Sequence, residues 1–572
     1  MESLDHHHRG DEEARVSKSC ARKGGWITFF FIAGTLAGSS VAASGWSINL
    51  IVYLMDEFNF KGIDAAQISN VVNGCISLFP AVGAIVADSF GCFPVVFASL
   101  CISLMGIFLL WLNATFNSLR PPPCEIGSTS CEGASGVQLA ILYSGLALGS
   151  LGIGGTRFTT ATMGASQLET PKDQDIFFNW YFCTLYTASV VSATALVYIE
   201  DNVSWAWGFG LCLGANTIGL AIFLLGKRFY RTLKPKDSPF VGLARVFIAA
   251  IRKKNVLLSS KTEDYYHGEI KSQRQVSPTN SFRFLNGAAV IVEGDLQTDG
   301  LIAKPWRLCS VQQLEDLKSV IKILPLWSTS IFLAVPIVVE YAMVVLQALA
   351  MDRRLRPHFK IPPGSFIVIV LFSTAIFLSI IDRILFPLWQ RLTGFRPTPF
   401  QRIGIGHVFN VLGMCISALV EARRLKIAKA HRRGIVVPMS SLWLFPQLVA
   451  IGIGEAFHFP GQVALYYQEF PLVLKNTATA MVGLVIGVAY YVGTGVIGLV
   501  RRNSNWLPDD INSGRLDNMY WLQAVLGVIN LGCYLVCAKL YKQRQQDETV
   551  VLVADNGSLG REKDSFNNIA HG

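Results

Sequence analysis

Twelve stretches of this chain are long and apolar enough to cross a lipid bilayer. A spanning helix needs about 20 mostly apolar residues. Such stretches recur at about Trp26–Met55, Ile68–Ala87, Phe93–Leu112, Leu139–Ala165, Phe177–Tyr198 and Trp205–Leu225. A long hydrophilic stretch follows. Six more come at about Ile321–Leu349, Phe366–Leu388, Ile403–Val420, Leu442–Phe459, Ala478–Val500 and Met519–Leu540. Only 15% of the 572 residues are charged, against roughly 25% in soluble domains. The expected fold is an all-α membrane protein of about twelve transmembrane helices in two six-helix halves. That layout belongs to two-halved transporters, whose site lies near the membrane midplane between the halves.

The polar segments divide the chain further. Residues 1–25 form a charged tail with no signal-peptide pattern, so the first span is expected to act as its own signal. The halves cover 26–225 and 319–541, the central loop 226–318, and a tail 542–572. The net charge of +10 clusters between spans, which suits a membrane surface and not nucleic acid. Arg9, Arg15, Lys18, Arg22 and Lys23 precede the first span, and Lys227, Arg228, Arg231, Arg252, Lys253 and Lys254 lie in the central loop. The inside-positive rule then makes both termini cytoplasmic. Two segments oppose this: Arg353, Arg354 and Arg356, and the run from Arg423 to Arg433. Pro239–Lys254 reads as an amphipathic helix lying along the inner membrane surface. Lys261–Ser281 reads as flexible, and Leu301–Ser319 as a second interfacial helix. Asn202 begins an Asn-Val-Ser triplet on the expected outer side.

The ionisable residues inside the spans carry the functional reading. Arg157 is the only charge in Leu139–Ala165. An arginine there costs at least ~2.5–3.5 kcal/mol on insertion scales, so it is expected to face a watery cavity or an acidic partner. The competing reading is that it snorkels to a nearby surface. Gly145, Gly149, Gly152, Gly154 and Gly155 suit close packing of that helix. Glu340 and Glu455 are lone carboxylates in two spans of the second half. His407 and His458 read as packing or interfacial residues, and Asp382–Arg383 as an internal ion pair. Glu455 and His458, three apart, can share a helix face. The 12 cysteines form no C-x-x-C pair; Cys124 and Cys131 share a polar loop and can pair if it is extracellular. No metal-ligand cluster or nucleophile–base arrangement appears, so no cofactor and no enzymatic activity are expected.

Several ordered stretches carry a resemblance. They include VVNGCISLFPAVGAIVADSF (Val71–Phe90), FFNWYF (Phe177–Phe182), ILPLWSTSIF (Ile323–Phe332), LQALAMDRRL (Leu346–Leu355), QRIGIGHVF (Gln401–Phe409) and NWLPDDINSGRLDNMYWLQA (Asn505–Ala524). From Gly25 to Lys542 the chain resembles the plant nitrate/peptide transporter family. This is the proton-dependent oligopeptide transporter branch of the major facilitator superfamily, and the subgroup resembled most is the nitrate excretion transporters. The resemblance puts Arg157 on the family's basic position of span four and Glu455 on its acidic position of span ten. Gly83, Asp88 and Gly91 fall on the superfamily's loop between spans two and three, with Cys92 replacing the usual arginine. Glu340 is on the span that holds another family acid, but two residues away, about 200° around a helix. It is retained as a second acidic group without a carried-over role.

Span one departs from the family. Its proton-coupling E-x-x-E-R signature falls on Leu36, Ala37, Gly38, Ser39 and Ser40, so both glutamates (Leu36, Ser39) and the arginine (Ser40) are lost. Trp26–Tyr53 contains no ionisable group, and a proton relay needs titratable groups. The resemblance and this loss together imply efflux of a small anion, nitrate first and chloride second, by alternating access without obligatory proton coupling. The membrane implied is the plasma membrane. Alternatives are proton-coupled symport of nitrate, peptides, hormones or glucosides, and a receptor or scaffold signalling through the central loop.

Overall fold

The computed structural model describes residues 24–123, 133–231, 239–259, 261–268, 277–297, 302–356, 359–431, 436–470 and 478–541. Cys124, Cys131 and both tails lie outside the described residues, as does the side chain of Asp88. Twelve described helices can cross a membrane. Spans one to six are Ile27–Ile48, Gly62–Ala87, Cys92–Thr115, Gly136–Ala165, Ile176–Asn202 and Trp205–Arg228. Spans seven to twelve are Val311–Leu349, Pro363–Thr393, Pro399–Ala430, Ser441–Tyr466, Met481–Asn503 and Leu516–Tyr541.

The halves repeat one packing scheme. Span four packs on spans two and three, and span five on span one; correspondingly, span ten packs on spans eight and nine, and span eleven on span seven. The halves meet where span two packs on span eleven and span five on span eight. Glycine makes the tightest crossings. A Cβ on Gly154 would stand 2.3 Å from Phe79 of span two, and one on Gly152 2.5 Å from Ser103 of span three. With no favourable hydrophobic transfer between helices in lipid, such close backbone contact is what holds them together.

Several boundaries differ from the sequence reading, each for a local reason. Span one stops at Ile48, and a separate helix, Leu50–Phe58, follows. Gly83 lies inside span two, where a Cβ would meet the Gly154 carbonyl at 2.8 Å. The turn to span three needs only Gly91, whose φ of 90° favours glycine. The residues expected as a second interfacial helix become, from Val311, the first turns of span seven. They are started by a capping box of Ser310 and Gln313. Span ten continues through Pro460, so His458 is fully buried mid-helix and not interfacial. Asp382 and Arg383 are exposed and do not pair with each other: adjacent helical residues point about 100° apart. Parts of the stretch read as flexible are packed, with Thr279 held by Glu315 at 2.9 and 2.8 Å.

Two of the arginines that oppose the charge rule are buried and paired. Arg353 is 7% exposed, donating to the Ile361 carbonyl at 3.1 Å and lying 3.7 Å from Asp201. Arg424 belongs to the last turns of span nine, wholly buried against Glu421. Arg354, Arg356, Arg423, Lys426 and Lys429 are exposed, so these segments still oppose the charge rule.

The end of the bundle away from the two chain termini is called distal here. Three ion pairs join the halves there: Lys61 with Asp509 at 2.5 Å, Asp64 with Arg501, and Asp201 with Arg353. Tyr198 of span five also stacks on Phe359. Among the described residues, every ion pair between the halves lies at this end, so this conformation is latched distally.

Candidate substrate site between the halves

Span four presents Arg157. The glycines before it press into spans two and three, which turns the next position toward span five and the facing half. Tyr181 of span five fixes the backbone, its hydroxyl donating to the Arg157 carbonyl at 2.5 Å. The side chain of Arg157 is exposed, and it makes no ion pair within 4.0 Å among the described residues. A guanidinium keeps its charge and its fork of donors at any working pH.

Glu455 approaches from span ten. One carboxylate oxygen accepts from the Tyr341 hydroxyl of span seven at 2.5 Å, and the other from Thr374 of span eight at 3.3 Å. It is 8% exposed. Tyr186 of span five and Tyr490 of span eleven lie within electrostatic range of both Arg157 and Glu455. As a lone carboxylate sharing a cavity with Arg157, Glu455 is expected either to partner it or to act as a gate. The structure brings them to one site but does not pair them, because Glu455 is occupied by hydroxyls of its own half.

Glu340 is not part of this site. It is 0% exposed and accepts from Gln447 at 2.6 Å. Gln447 also reaches Gln347 at 3.3 Å, and Gln347 donates to Glu421 at 2.7 Å. Arg424 grips Glu421 with two bonds of 2.8 and 2.7 Å and reaches Asn512 at 2.5 Å. Tyr520 donates to Gln347 at 3.1 Å. This network lies within the second half. Tyr341, one residue on and about 100° around the helix, takes the position facing the site. His407 stacks on Tyr534 with 4.8 Å between ring centres, and His458 is buried; neither contacts Glu455.

The span-one positions complete the picture. Leu36 is buried in an apolar cluster, and Ser39 returns its hydroxyl to the Thr35 carbonyl at 2.8 Å. Ser40 is 8% exposed. Nothing in Ile27–Ile48 can take up or release a proton. The candidate-site residues not singled out in the sequence are Tyr181, Tyr186, Tyr341, Thr374 and Tyr490. They are ordinary residues of apolar spans, and only the Phe177–Phe182 stretch flagged one of them. The site therefore combines an uncompensated cation, several phenol hydroxyls and a hydroxyl-bound carboxylate, contributed by spans of both halves.

Comparisons with known proteins place this architecture. The model described as the POT family matches residues 93–512. Protein NRT1/PTR FAMILY 2.7 of Arabidopsis thaliana is 53% identical over 542 residues, covering 94% of this chain and 96% of the relative. Protein NRT1/PTR FAMILY 2.6 of the same plant is 52% identical over 540 residues, covering 93% and 96%. An auto-inhibited POT family peptide transporter of known structure shares the fold with a TM-score of 0.64 at 16% identity, covering 91% of this chain and 97% of that one. With one family model spanning most of the chain and relatives aligned along nearly all of it, this multi-pass membrane protein of the major facilitator type belongs to the POT family of transporters, in its NRT1/PTR branch.

Proposed function

We propose that the protein releases a small monovalent anion, nitrate and secondarily chloride, from the cytosol across the plasma membrane, without obligatory proton coupling. The termini and central loop face the cytosol in this reading. The observation that carries it is Arg157, an exposed guanidinium inside a spanning helix with no ion-pair partner among the described residues. A planar fork of donors matches a planar oxyanion bidentately. Tyr186 and Tyr490 lie within electrostatic range of it and carry hydroxyls that can serve as further donors. In the distally latched state the anion would enter from the cytosolic side, and release requires the latch to open.

The direction follows from electrostatics. An uncoupled anion moves down its electrochemical gradient. A cell interior negative by about 100 mV drives each negative charge outward with ~2.3 kcal/mol, roughly a 50-fold concentration ratio. Uptake against that field needs coupled protons, and span one supplies no group to carry them. The test is flux in proteoliposomes with a voltage imposed and pH clamped equal on both sides. Nitrate movement under voltage alone is expected; uphill accumulation driven by a proton gradient alone, at fixed stoichiometry, would falsify the reading.

One observation favours a second reading. Glu455, with its 2.5 Å bond to Tyr341, is a carboxylate at the site, and a proton-coupled symporter would use it as its proton carrier. The same experiment separates the two.

A further inference from the structure

The helix Pro239–Arg252 between the halves has two apolar faces. One packs inward: Val246, Ala249 and Ala250 lie in a core with Tyr265, Leu285, Ala288, Ala289 and Val290 and with Val311, Leu314 and Leu317 of span seven. Just past the helix, Lys253 is 2% exposed, its ammonium 2.6 Å from Asp295 and donating to the Val290 carbonyl at 2.6 Å. The central region is thus a folded unit fixed to the projecting turns of span seven.

The other face is largely exposed. Phe247 and Ile251, one turn apart, are 52% and 56% exposed. Residues four apart share a helix face, so they form one outward apolar ridge. Its flanks are basic. Arg252 and Lys254 are exposed; Arg252 donates to the Trp306 carbonyl at 3.4 Å, and Arg245 stands 5.7 Å from the Trp306 ring. The helix carries no acidic residue. Leu243 packs against both the central core and the cluster of span seven with Ile323 and Leu326. That contact ties the start of the helix to span seven.

We propose that this ridge is a docking surface for an anionic membrane, with Phe247 and Ile251 inserted among the lipids and Arg252 and Lys254 on phosphate headgroups. Apolar residues on one face flanked by Lys and Arg are what an in-plane interfacial helix requires. Basic residues beside a span attract anionic headgroups, and tryptophan suits the headgroup level. The continuity with spans six and seven keeps the unit at a membrane surface. A water-exposed ridge, or one covered by a second copy of the chain, is the alternative the test must distinguish.

The full chain is reconstituted into phosphatidylcholine vesicles, with and without phosphatidylserine, containing brominated lipids. Quenching is read as the difference between the chain and its Trp306→Phe variant, which isolates Trp306. Quenching that is stronger with phosphatidylserine and reduced by high salt is expected. Phe247→Ser with Ile251→Ser should abolish most of it. Arg252→Gln with Lys254→Gln should leave quenching in phosphatidylcholine but erase the phosphatidylserine increment. These substitutions lie on the outward face, and preserved thermal unfolding confirms that the unit remains folded. Trp306 that is unquenched in both lipids, or quenched equally in both, or protected by a cross-linkable second copy, overturns the proposal.

Discussion

The two halves treat the charges inside their spans differently. In the second half, Arg424, Glu421, Gln347, Gln447, Glu340 and Tyr520 bind one another across spans seven, nine, ten and twelve. Their hydrogen-bonding capacity is spent on the protein. In the first half Arg157 has no ion-pair partner among the described residues. A cation already gripped by a carboxylate has little left for a solute, whereas an unpaired one in a watery site is ready to receive an anion. One half ties its ions to each other as a brace, and the other leaves Arg157 without an ion-pair partner among the described residues.

The largest effect expected from breaking this contrast is in the brace. Arg424→Gln leaves Glu421 buried without its cation, which typically costs about 3–5 kcal/mol. Thermal unfolding of the purified variant should shift sharply downward, and Glu421→Gln added to it should restore part of the loss. An unshifted transition would show that the pair is not structural.

Arg157→Ala reverses the pattern. It should abolish anion flux while leaving the unfolding transition near that of the parent, because no described ion pair is broken. Arg157→Lys should keep some activity, since the charge survives without the planar fork. Normal flux in the alanine variant, at equal amounts in the membrane, sinks the assignment.

Glu455→Gln and Tyr341→Phe sharpen the comparison at the seam. Each should alter flux more than stability, since one neutral hydrogen bond contributes only about 1 kcal/mol. Glu340→Gln, within the brace, should leave flux close to the parent's. If Glu340→Gln stops transport while Glu455→Gln does not, the two carboxylates have been assigned the wrong way round.

The smallest effect concerns pH at the distal latch. Withdrawal from water, with repulsion from Asp201 and Glu57, pushes the Asp56 carboxyl up to about 6 from its ordinary 3.8, against the attraction of Arg353 and Lys360. Opening the latch would return it toward 3.8, so protons bind the closed form more tightly. The closed form's advantage is full below pH 3.8 and lost as pH rises through about 6. Spin labels at Thr115 and Asn503 should report a shorter mean separation in acid, and Asp56→Asn should flatten that response. A separation that lengthens in acid contradicts the sign.

The spans were legible because hydropathy reports on lipid, which every spanning face must meet. Span seven's early start was hidden where Glu315, Lys318 and Lys322 interrupt the apolar run, although Ser310-x-x-Gln313 was an available capping signal. Arg424 falls in the basic run that starts at Arg423, and Glu421 lies just past the expected end of span nine. Their spacing of three, which aligns them on a helix face, was the clue that they pair. Arg157 and Glu455 stood out as lone charges. Tyr186, Tyr341, Thr374 and Tyr490 did not, because a hydroxyl in an apolar span costs little, and only tertiary packing gathers residues from four helices.

Span seven runs unbroken for 39 residues, about 58 Å at 1.5 Å per residue, nearly twice the ~30 Å of hydrocarbon it has to cross. It starts inside the central unit, passes the site at Tyr341, and ends just before Arg353 of the latch. It is therefore a lever as well as a wall. Rocking it by about 10° around one end would sweep the other through ~10 Å, by the same rise per residue. Pro325 and Pro336 each remove one backbone bond along it, which marks the places where such a rod bends. A displacement of the unit on the terminal face reaches the opposite face through a single covalent piece.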